Sequence, residues 1–409
     1  MDDRVILHCD LNSFYASVEL LSHPELRDRP VAVCGDPASR HGIILAKNGP
    51  AKAMGVRTAE TIWQARRKCP DLVLLPAHHD KYRYYSRLAA ELYNGYTDLV
   101  EPFGIDESWL DVTGTLHLFG GDAKALADRI RGEMKERLGL TISVGVSFNK
   151  IFAKLGSDYQ KPDATTVISR ENFREVAWPL PVTDLLFVGR ASGELLAAHG
   201  IRTIGQLAAA DRESLVRLLG KNGGQLRDYA AGEDRSPVCP AGERPPPKSV
   251  GNGMTFRRDL AGREEIEAGV RLLTERVAFR LRRHGMKATT VQIAVRSPAL
   301  KTVSRQKRTA APTNLYRELT EAVMELLAGF WHWDAPVRAL TVTAAGLLPE
   351  GEAGEQLDLF RPGSADRRAR QEKLERTMDQ LRARYGKGMV GFAGRRTGGD
   401  GTAGEEEKT

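Results

Sequence analysis

VILHCD at residues 5–10 and FGIDESWLDV at residues 103–112 are the two stretches that decide the fold. Each contains a run of valine, isoleucine or leucine that is typical of a buried strand. Asp10 ends the first run, and Asp106 and Glu107 come just before the second. If folding makes the two strands neighbours, three carboxylates share one small space.

These three acids predict a particular kind of site. Carboxylates that lie close together cannot all stay ionised unless a cation neutralises them. Their hard oxygen atoms favour Mg²⁺ or Mn²⁺ over zinc. The acids therefore indicate metal-assisted phosphoryl transfer.

Composition sets the outer bounds of the interpretation. A chain of 409 residues predicts two to four domains, and 41% hydrophobic with 28% charged residues is typical of a soluble globular protein. The start, at residues 1–4, is acidic, and the apolar run after it ends at Asp10. We therefore expect no signal peptide, no transmembrane span and a cytoplasmic location. Four scattered cysteines without CxxC spacing predict reduced thiols and neither a zinc site nor a disulfide framework: Cys9, Cys34, Cys69 and Cys239.

The basic surplus is unevenly distributed. The net charge is +7 with a pI near 9.2, and residues 271–308 contain eleven lysines or arginines but one acid, Glu275. Because this stretch cannot neutralise itself, it favours binding to a phosphate backbone. A plain solvated face is the alternative, although such faces usually mix both signs of charge.

The order of strand-like and helix-like patterns predicts several domains. Alternating patterns up to about residue 168, including a strand at 141–147, indicate α/β or α+β architecture. A glycine-punctuated helical segment follows from about 170 to 236, and proline-rich residues 240–247 read as a linker. A second α/β-type unit, with strands at 291–295 and 340–343, runs to about residue 346. The rest is a polar tail that we expect to be disordered.

Within the helical segment, residues 186–201 have the form of a helix-hairpin-helix. Its glycine turn would leave backbone N–H groups free to hold a phosphate without reading a base. An ordinary helical hairpin with a glycine turn is the alternative. The basic stretch downstream favours the DNA-binding interpretation.

Four motifs occurring in order make the chain resemble a Y-family DNA polymerase of the DinB or polymerase IV type. They are HCDLNSFYASVE at 8–19, GIDES at 104–108, VGVSFNK at 144–150 and DYQKP at 158–162. The resemblance covers roughly residues 4–346. It implies an α+β multidomain right-hand polymerase with a ferredoxin-like palm, small fingers, a helix-hairpin-helix thumb and an α/β little finger. The implied boundaries are palm 1–13 and 80–168, fingers 14–79, thumb 169–238, linker 239–247, little finger 248–346 and tail 347–409.

The resemblance also implies roles for individual residues. Asp10, Asp106 and Glu107, with the Leu11 carbonyl, match the family's ligands for two Mg²⁺ ions, for which Mn²⁺ is a possible substitute. Such ions lower the pKa of the primer 3′-hydroxyl and steady the leaving pyrophosphate. Four residues would contact the incoming nucleotide: Phe14, Tyr15, Lys52 and Lys161. Tyr15 matches the steric gate that excludes a ribose 2′-hydroxyl, Phe14 is the better candidate for packing, and Lys161 matches the lysine on the triphosphate.

Three positions depart from the family pattern. Where relatives commonly show Asn-Tyr-x-Ala-Arg, this chain reads Asn48-Gly49-Pro50-Ala51-Lys52, so the arginine fork becomes a lysine and the tyrosine a glycine. We therefore expect nucleotide handling to differ. Asn12 stands where some relatives carry another acid, which argues against a fourth metal-site carboxylate.

The remaining expectations concern partners. Primer-template DNA would contact residues in the thumb and the little finger: Gly189, Arg190, Gly193, Arg296, Lys301, Arg305 and Lys307. A tail peptide looks like the segment that binds the bacterial sliding clamp: Gln356, Leu357, Asp358, Leu359 and Phe360. Beyond it, four residues at helical spacing predict a packing face: Leu374, Met378, Leu381 and Tyr385. We expect a monomer that does not bind membranes.

The function that these signals favour is a template-directed, error-prone DNA polymerase that acts on damaged templates with dNTPs. A palm-based nucleotidyl cyclase could use the same carboxylates but would need neither the hairpin, the basic region nor the clamp peptide. A catalytically silent DNA-binding or clamp-tethering protein could keep those parts. It would not need the three carboxylates or Lys161.

Overall fold

The computed structural model describes residues 4–36, 42–243, 246–353, 364–386 and 389–391. The chain divides into two compact units between Arg244 and Pro245, within the segment that we expected to be a linker. Across the described ranges, no helix is both long and apolar enough to span a membrane.

The first unit is built around a five-stranded sheet with the order β5-β6-β1-β7-β8. Its strands are β1 (Ile6–Leu11), β5 (Val100–Pro102), β6 (Glu107–Asp111), β7 (Ile142–Ser147) and β8 (Thr165–Ile168). Neighbouring strands are antiparallel except for the parallel pair β7 and β8. All six residues of β1 are buried because this strand lies at the centre of the sheet.

Four helices accompany this sheet: α1 (Phe14–Leu21), α4 (His79–Asn94), α5 (Ala123–Leu138) and α6 (Lys150–Tyr159). Asn149 caps α6, because its side-chain oxygen accepts a 2.8 Å hydrogen bond from the Phe152 amide. The helix then packs directly on the backbone of β7. A Cβ atom at Gly145 would lie only 1.9 Å from the Ala153 carbonyl oxygen, so this close approach requires glycine.

A smaller sheet of the first unit has the order β3-β2-β4. It consists of β2 (Val31–Cys34), β3 (Ile44–Lys47) and β4 (Val73–Pro76), with α2 (Gly49–Ala53) and α3 (Ile62–Lys68) alongside. Thr61 and Gln64 form a capping box that starts α3. A separate apolar cluster holds this region together.

The predicted helical segment follows β8 and shares an apolar core with α6. Its helices are α7 (Phe173–Val176), α8 (Arg190–Ala198), α9 (Ile204–Ala209), α10 (Arg212–Leu219) and α11 (Lys221–Ala230). The predicted helix-hairpin-helix at 186–201 contains one regular helix, α8. A single 3₁₀ turn at Val182–Asp184 precedes it, and Phe187 adopts a positive φ of 71° between them.

The expected linker at 239–247 is not free along its whole length. The Cys239 amide donates to the carboxylate of Glu101 at 2.9 Å, and the Ala241 amide donates to the Asp98 carbonyl oxygen at 2.8 Å. These contacts fix the beginning of the segment to the first unit.

The second unit contains a four-stranded antiparallel sheet with the order β11-β10-β12-β9. Its elements are β9 (Ser249–Leu260), α12 (Gly262–Arg283), β10 (Met286–Arg296), β11 (Thr302–Thr313), α13 (Tyr316–Phe330), β12 (Val337–Pro349) and α14 (Ser364–Tyr385). The strands predicted at 291–295 and 340–343 are both present as parts of longer strands. Helices α12 and α13 share an apolar core with this sheet.

The expectation of a disordered tail from residue 347 is wrong in two places. Strand β12 continues to Pro349, and α14 is a regular helix. Glu375 of this helix is fully buried against Arg282 of α12. The prediction of an apolar packing face on this helix is also largely wrong. Met378 is buried, but Leu374, Leu381 and Tyr385 are exposed, and the helix instead contacts α12 through the ion pair of Glu375 with Arg282. The predicted clamp-binding peptide at 356–360 lies outside the described residues.

Candidate active site

The pairing of β1 with β6 brings the predicted acids together. Asp10 and Glu107 are direct partners across the two strands, so their side chains leave the same face of the sheet. Asp106 comes immediately before β6, and its carbonyl oxygen accepts a 3.0 Å hydrogen bond from the Leu11 amide. All three acids therefore lie at one end of the central sheet.

Burial and mutual repulsion change the protonation of these acids. Burial, followed by the charges of Asp10 and Glu107, raises the pKa of Asp106 to about 6. Burial also raises the pKa of Asp10, although Lys161 and Lys154 oppose this effect. Burial is therefore the largest cause of both shifts, and repulsion from the neighbouring acids adds to it at Asp106.

His8 supports Glu107 from within the core. Its Nε2 atom lies 3.3 Å from a carboxylate oxygen of Glu107, and its Nδ1 atom lies 2.8 Å from the Ser157 hydroxyl. Burial lowers the pKa of His8. Burial alone would raise the pKa of Glu107, but the nearby His8 imidazole and the charge of Lys154 outweigh it and lower that pKa. Nothing in the sequence pattern singles out His8 for this contact.

Two lysines lie among the acids. Lys154 Nζ is 3.2 Å from Asp10 Oδ2, 3.1 Å from Glu107 Oε2 and 3.1 Å from Asp158 Oδ2. Lys161 Nζ is 2.7 Å from Asp10 Oδ2 and 2.8 Å from Asp158 Oδ1. Lys161 is the lysine predicted from the resemblance, whereas Lys154 and Asp158 were not predicted. Their spacing of four residues on a helix, with Lys161 three further on, is the signal that could have revealed them.

The donor set suits a divalent metal. Three carboxylates supply the hard oxygen atoms that Mg²⁺ and Mn²⁺ prefer, and the Lys154 ammonium already attracts two of them as a stand-in cation. In the part of the chain that the structure describes, no group of three or more histidine, cysteine, aspartate or glutamate side chains is arranged to hold a metal ion as it stands.

Tyr15 lies beside the acidic cluster on α1. Its ring stacks on Tyr82 with a centroid distance of 4.0 Å and an interplanar angle of 11°, and the edge of His79 meets it at 5.7 Å. Burial, followed by the charge of Asp106, raises the pKa of Tyr15. The neighbouring Phe14 is only 3% exposed and belongs to the main apolar core, as its prediction as a packing residue requires.

Lys52 is exposed on α2, which begins at a capped Asn48. The Asn48 side chain accepts a 3.1 Å hydrogen bond from the Ala51 amide. Lys47 is a second cation of this region, and its Nζ donates to the Thr58 hydroxyl at 2.9 Å. Burial, followed by the charge of Lys52, lowers the pKa of Lys47. The two ammonium groups thus share a region, and the sequence motif points to Lys52 alone.

Asn12 has a structural role in this chain. Its amide nitrogen donates to the Ser143 hydroxyl at 2.9 Å, and its amide oxygen accepts a 2.9 Å hydrogen bond from the Asp163 amide. These bonds connect the end of β1 to the loop that follows Lys161. An aspartate could accept the second bond but could not donate the first.

The predicted DNA contacts of the helical segment differ in exposure. Gly189 is the residue before the first turn of α8, and Arg190 is exposed with a 2.7 Å ion pair to Glu194. Gly193 is buried instead, because a Cβ atom there would lie 2.6 Å from the Thr183 methyl group. Gly193 is therefore a close-packing position.

Acids elsewhere in the second unit neutralise part of the basic stretch at 271–308. Arg282 forms ion pairs with Glu375 and Asp379, and Lys287 pairs with Glu372 at 2.7 Å. The stretch as a whole is thus less available to a phosphate backbone than its sequence suggested.

Strand register divides the remaining predicted contacts between two faces. Arg296 pairs with Thr302, on the face of the sheet opposite the buried Val295. Arg305 and Lys307 leave the face that the helices cover: Arg305 lies over the Phe330 ring, and Lys307 pairs with a carboxylate of α13. Lys301 is exposed in the β10–β11 turn. Arg296 and Lys301 are therefore better placed for an external ligand.

Family models match both units of this chain. Residues 9–158 match the impB/mucB/samB family, and residues 247–359 match the impB/mucB/samB family C-terminal domain. The chain is 47% identical to DNA polymerase IV of Acetivibrio thermocellus over 94% of this chain and 95% of the relative. It is 40% identical to DNA polymerase IV of Moorella thermoacetica, over 95% of each chain.

A solved structure shares the architecture. The Y-family DNA polymerase chimera Dbh-Dpo4(243-245)-Dbh covers 84% of this chain and 99% of its own length, with a TM-score of 0.74 and 22% identity. This likeness confirms the expected fold class, an α+β multidomain right-hand polymerase. The chain therefore belongs to the impB/mucB/samB family, the Y-family DNA polymerases of the DinB or polymerase IV type.

Proposed function

We propose that Asp10, Asp106 and Glu107 form the centre at which this chain extends a primer. As a member of its family, the chain is a DNA-directed DNA polymerase. The observation that carries the proposal is the pairing of β1 with β6, which places Asp10 opposite Glu107 and Asp106 beside them; the raised pKa of Asp106, to about 6, agrees with this crowding. Such a cluster is expected where divalent metal ions bind.

The polymerases of this family depend on divalent metal, and we propose two Mg²⁺ ions, with Mn²⁺ as a substitute. Asp10, Asp106, Glu107 and the Leu11 carbonyl would hold them. When bound, the metal supplies a lowered pKa at the primer 3′-hydroxyl and neutralises charge on the leaving pyrophosphate. His8 would keep Glu107 oriented during this chemistry, because the imidazole lies 3.3 Å from its carboxylate.

The nucleotide would lie between the aromatic ring of Tyr15 and the cations of this region. Tyr15 would exclude a ribose 2′-hydroxyl, since its stack on Tyr82 leaves the ring little freedom to withdraw. Lys161 and Lys52 would neutralise the triphosphate. Lys52 replaces the arginine of the family motif and provides a single ammonium group, so Lys47, whose pKa responds to the charge of Lys52, would add a second positive charge there. Phe14 would act from behind as a packing residue.

We assign the domains as the resemblance implies. The five-stranded sheet would be the palm, the region of β2 to β4 the fingers, the helical segment the thumb and the second unit the little finger. Gly189 and Arg190 would hold primer-template DNA in the thumb, and Arg296 and Lys301 would do so in the little finger. Arg296 and Lys301 support the DNA contact in the little finger better than Arg305 and Lys307 do, because the latter two lie on the face of the sheet that the helices cover.

The biological role that follows is error-prone synthesis across damaged templates in the cytoplasm, by a monomer. The peptide at 356–360 would tether the enzyme to the bacterial sliding clamp and so increase processivity. Its amide followed by leucine and phenylalanine anchors is the support for this assignment.

A primer-extension assay with Mg²⁺, dNTPs and a primed template tests the proposal. Glu107→Gln should lower the extension rate by about three orders of magnitude, since a lost metal ligand removes several kilocalories per mole of transition-state stabilisation. Glu136→Gln, on the exposed side of α5, is the matched control and should extend normally. Normal extension by Glu107→Gln would reject the site. A wild-type chain that cyclises nucleotides, or binds DNA without extending it, would instead support one of the two rival functions.

A further inference from the structure

Lys154 links the two acids that face each other across β1 and β6. Its ammonium lies within 3.2 Å of Asp10 and 3.1 Å of Glu107, and only 12% of its side chain is exposed. Lys161 approaches the same cluster but forms its ion pairs with Asp10 and Asp158. The bridge from Asp10 to Glu107 is thus a distinguishing contact of Lys154.

The backbone that carries Lys154 is fixed in place. Helix α6 begins at the Asn149 cap and packs on β7 where glycine permits close contact. The adjacent Ala153 has no exposed surface. A change in the position of the ammonium therefore has to come from rotation of the lysine side chain.

A second acceptor lies within reach of that rotation. Asp158 follows Lys154 by one helical turn, and their side chains are already 3.1 Å apart. The Asp158 side chain is 46% exposed, whereas that of Asp10 is 8% exposed. Asp158 can therefore keep Lys154 paired when the buried acids take another cation.

We propose that Lys154 is a positioning residue that acts as the resident counter-ion of the catalytic carboxylates before metal binds. Its ammonium bridges Asp10 and Glu107 in the metal-free enzyme and withdraws to Asp158 when a divalent ion enters. This inference rests on the proposed role of the acids as metal ligands. Lys154 thereby lowers the affinity of the acids for metal, and Asp158 reduces this effect because it accepts the ammonium group.

Titration of the DNA-free enzyme with Mn²⁺, followed by electron paramagnetic resonance of the unbound ion, measures this competition directly. An opposite charge at this distance changes an ion equilibrium by one or more powers of ten, so Lys154→Met should lower the Kd for Mn²⁺ about tenfold. Lys161→Met removes the same charge beside Asp10 but leaves the bridge to Glu107. It removes one ion pair with the proposed metal ligands instead of two, so it should lower the Kd by a smaller factor than Lys154→Met does. Equal effects of the two variants, or weaker binding by Lys154→Met, would overturn the proposal.

A double-mutant cycle tests the withdrawal to Asp158. Asp158→Asn should weaken Mn²⁺ binding in the wild-type background, because Lys154 loses its second acceptor. In the Lys154→Met background the same substitution should have a smaller effect, because only the pair of Asp158 with Lys161 is then lost. An equal loss in both backgrounds would mean that Asp158 acts through its general field, which would reject the withdrawal.

Two controls keep the result interpretable. Thermal unfolding in EDTA establishes that each variant is folded, and Lys154→Gln, which retains a polar side chain, should reproduce the tighter binding. Asp106→Asn distinguishes a failure of the proposed function from a failure of the proposed role of Lys154. If it leaves both Mn²⁺ binding and primer extension unchanged, the proposed function fails. If it abolishes them while Lys154→Met and Lys154→Gln bind Mn²⁺ as the wild type does, only the role of Lys154 fails.

Discussion

The ring of Tyr15 lies parallel to that of Tyr82 at a centroid distance of 4.0 Å. The Tyr82 hydroxyl in turn donates a hydrogen bond to the buried carboxylate of Glu19. The ring that we propose as the steric gate is thus supported from behind by an aromatic side chain that is itself anchored in the core.

This support predicts a graded series of sugar selectivities. Tyr15→Ala should reduce discrimination against ribonucleotides by about tenfold to a hundredfold, as expected when a packed group no longer excludes a hydroxyl. Tyr15→Phe keeps the ring and should retain the selectivity. Tyr82→Ala should give an intermediate loss because the gate loses its backing. Single-nucleotide incorporation with paired dNTP and rNTP measures all three, and unchanged selectivity in Tyr15→Ala would reject the gate.

The raised pKa of Asp106 predicts a pH-dependent cost to stability. Its pKa is about 6 in the folded chain and 3.8 ordinarily, so the folded state binds the extra proton between these values. The free energy of unfolding therefore falls as pH rises through this window and remains lower above it. In EDTA at pH 8, Asp106→Asn should raise the melting temperature by about 2 °C or more.

The stabilisation by Asp106→Asn should disappear at pH 4, where the wild-type carboxyl is largely protonated. Asp71→Asn, on the surface of the first unit, serves as the control and should leave the melting temperature unchanged. A variant that is less stable than the wild type at pH 8 would contradict the repulsion among the three acids.

The two faces of the second sheet predict unequal DNA contacts. Arg296→Ala should weaken binding of primer-template DNA and reduce the slope of log K against log salt by about 1, as for one lost phosphate contact. Lys307→Ala should have a smaller effect because Lys307 already pairs with Glu325 on the helix-covered side. Fluorescence anisotropy at several salt concentrations compares them. A larger effect of Lys307→Ala would reverse the assignment of the faces.

The buried contact between α12 and α14 predicts a large local effect on stability. Arg282→Ala leaves Glu375, which has no exposed surface, without its cation, and should cost about 3–5 kcal/mol. Arg317→Ala removes the exposed pair with Glu321, which solvent screens, and should cost much less. Urea unfolding measures both, and hydrogen exchange locates the loss in α14. Equal costs would show that the contact is not buried in solution.

The proposed clamp peptide predicts a separable activity. Replacing Leu357 and Phe360 with alanine should abolish stimulation of synthesis by the sliding clamp, because the apolar anchors are lost. Activity without the clamp should be unchanged, since the peptide lies outside the catalytic motifs. Primer extension with and without clamp separates these effects. Full stimulation of the double variant would locate the clamp contact elsewhere.

The sequence by itself determined the elements and the identity of the acids. Short apolar runs ending in Asp10, or starting after Asp106, specify buried strands with acids at their ends, because burial and strand periodicity are local properties. Ordered motifs and curated relatives then fixed the family. The sequence also predicted the glycine turn at Gly189, which precedes α8.

Tertiary structure decided the contacts that join distant residues. Strand register turned Arg305 and Lys307 toward the helices, and the docking of α14 gave Arg282 a buried partner 93 residues away. The same applies to His8 beside Glu107 and to Lys154 between the acids, since such pairings depend on packing between elements. Sequence spacing specifies which face of one element a side chain occupies, and only the packed fold specifies which charge it meets there.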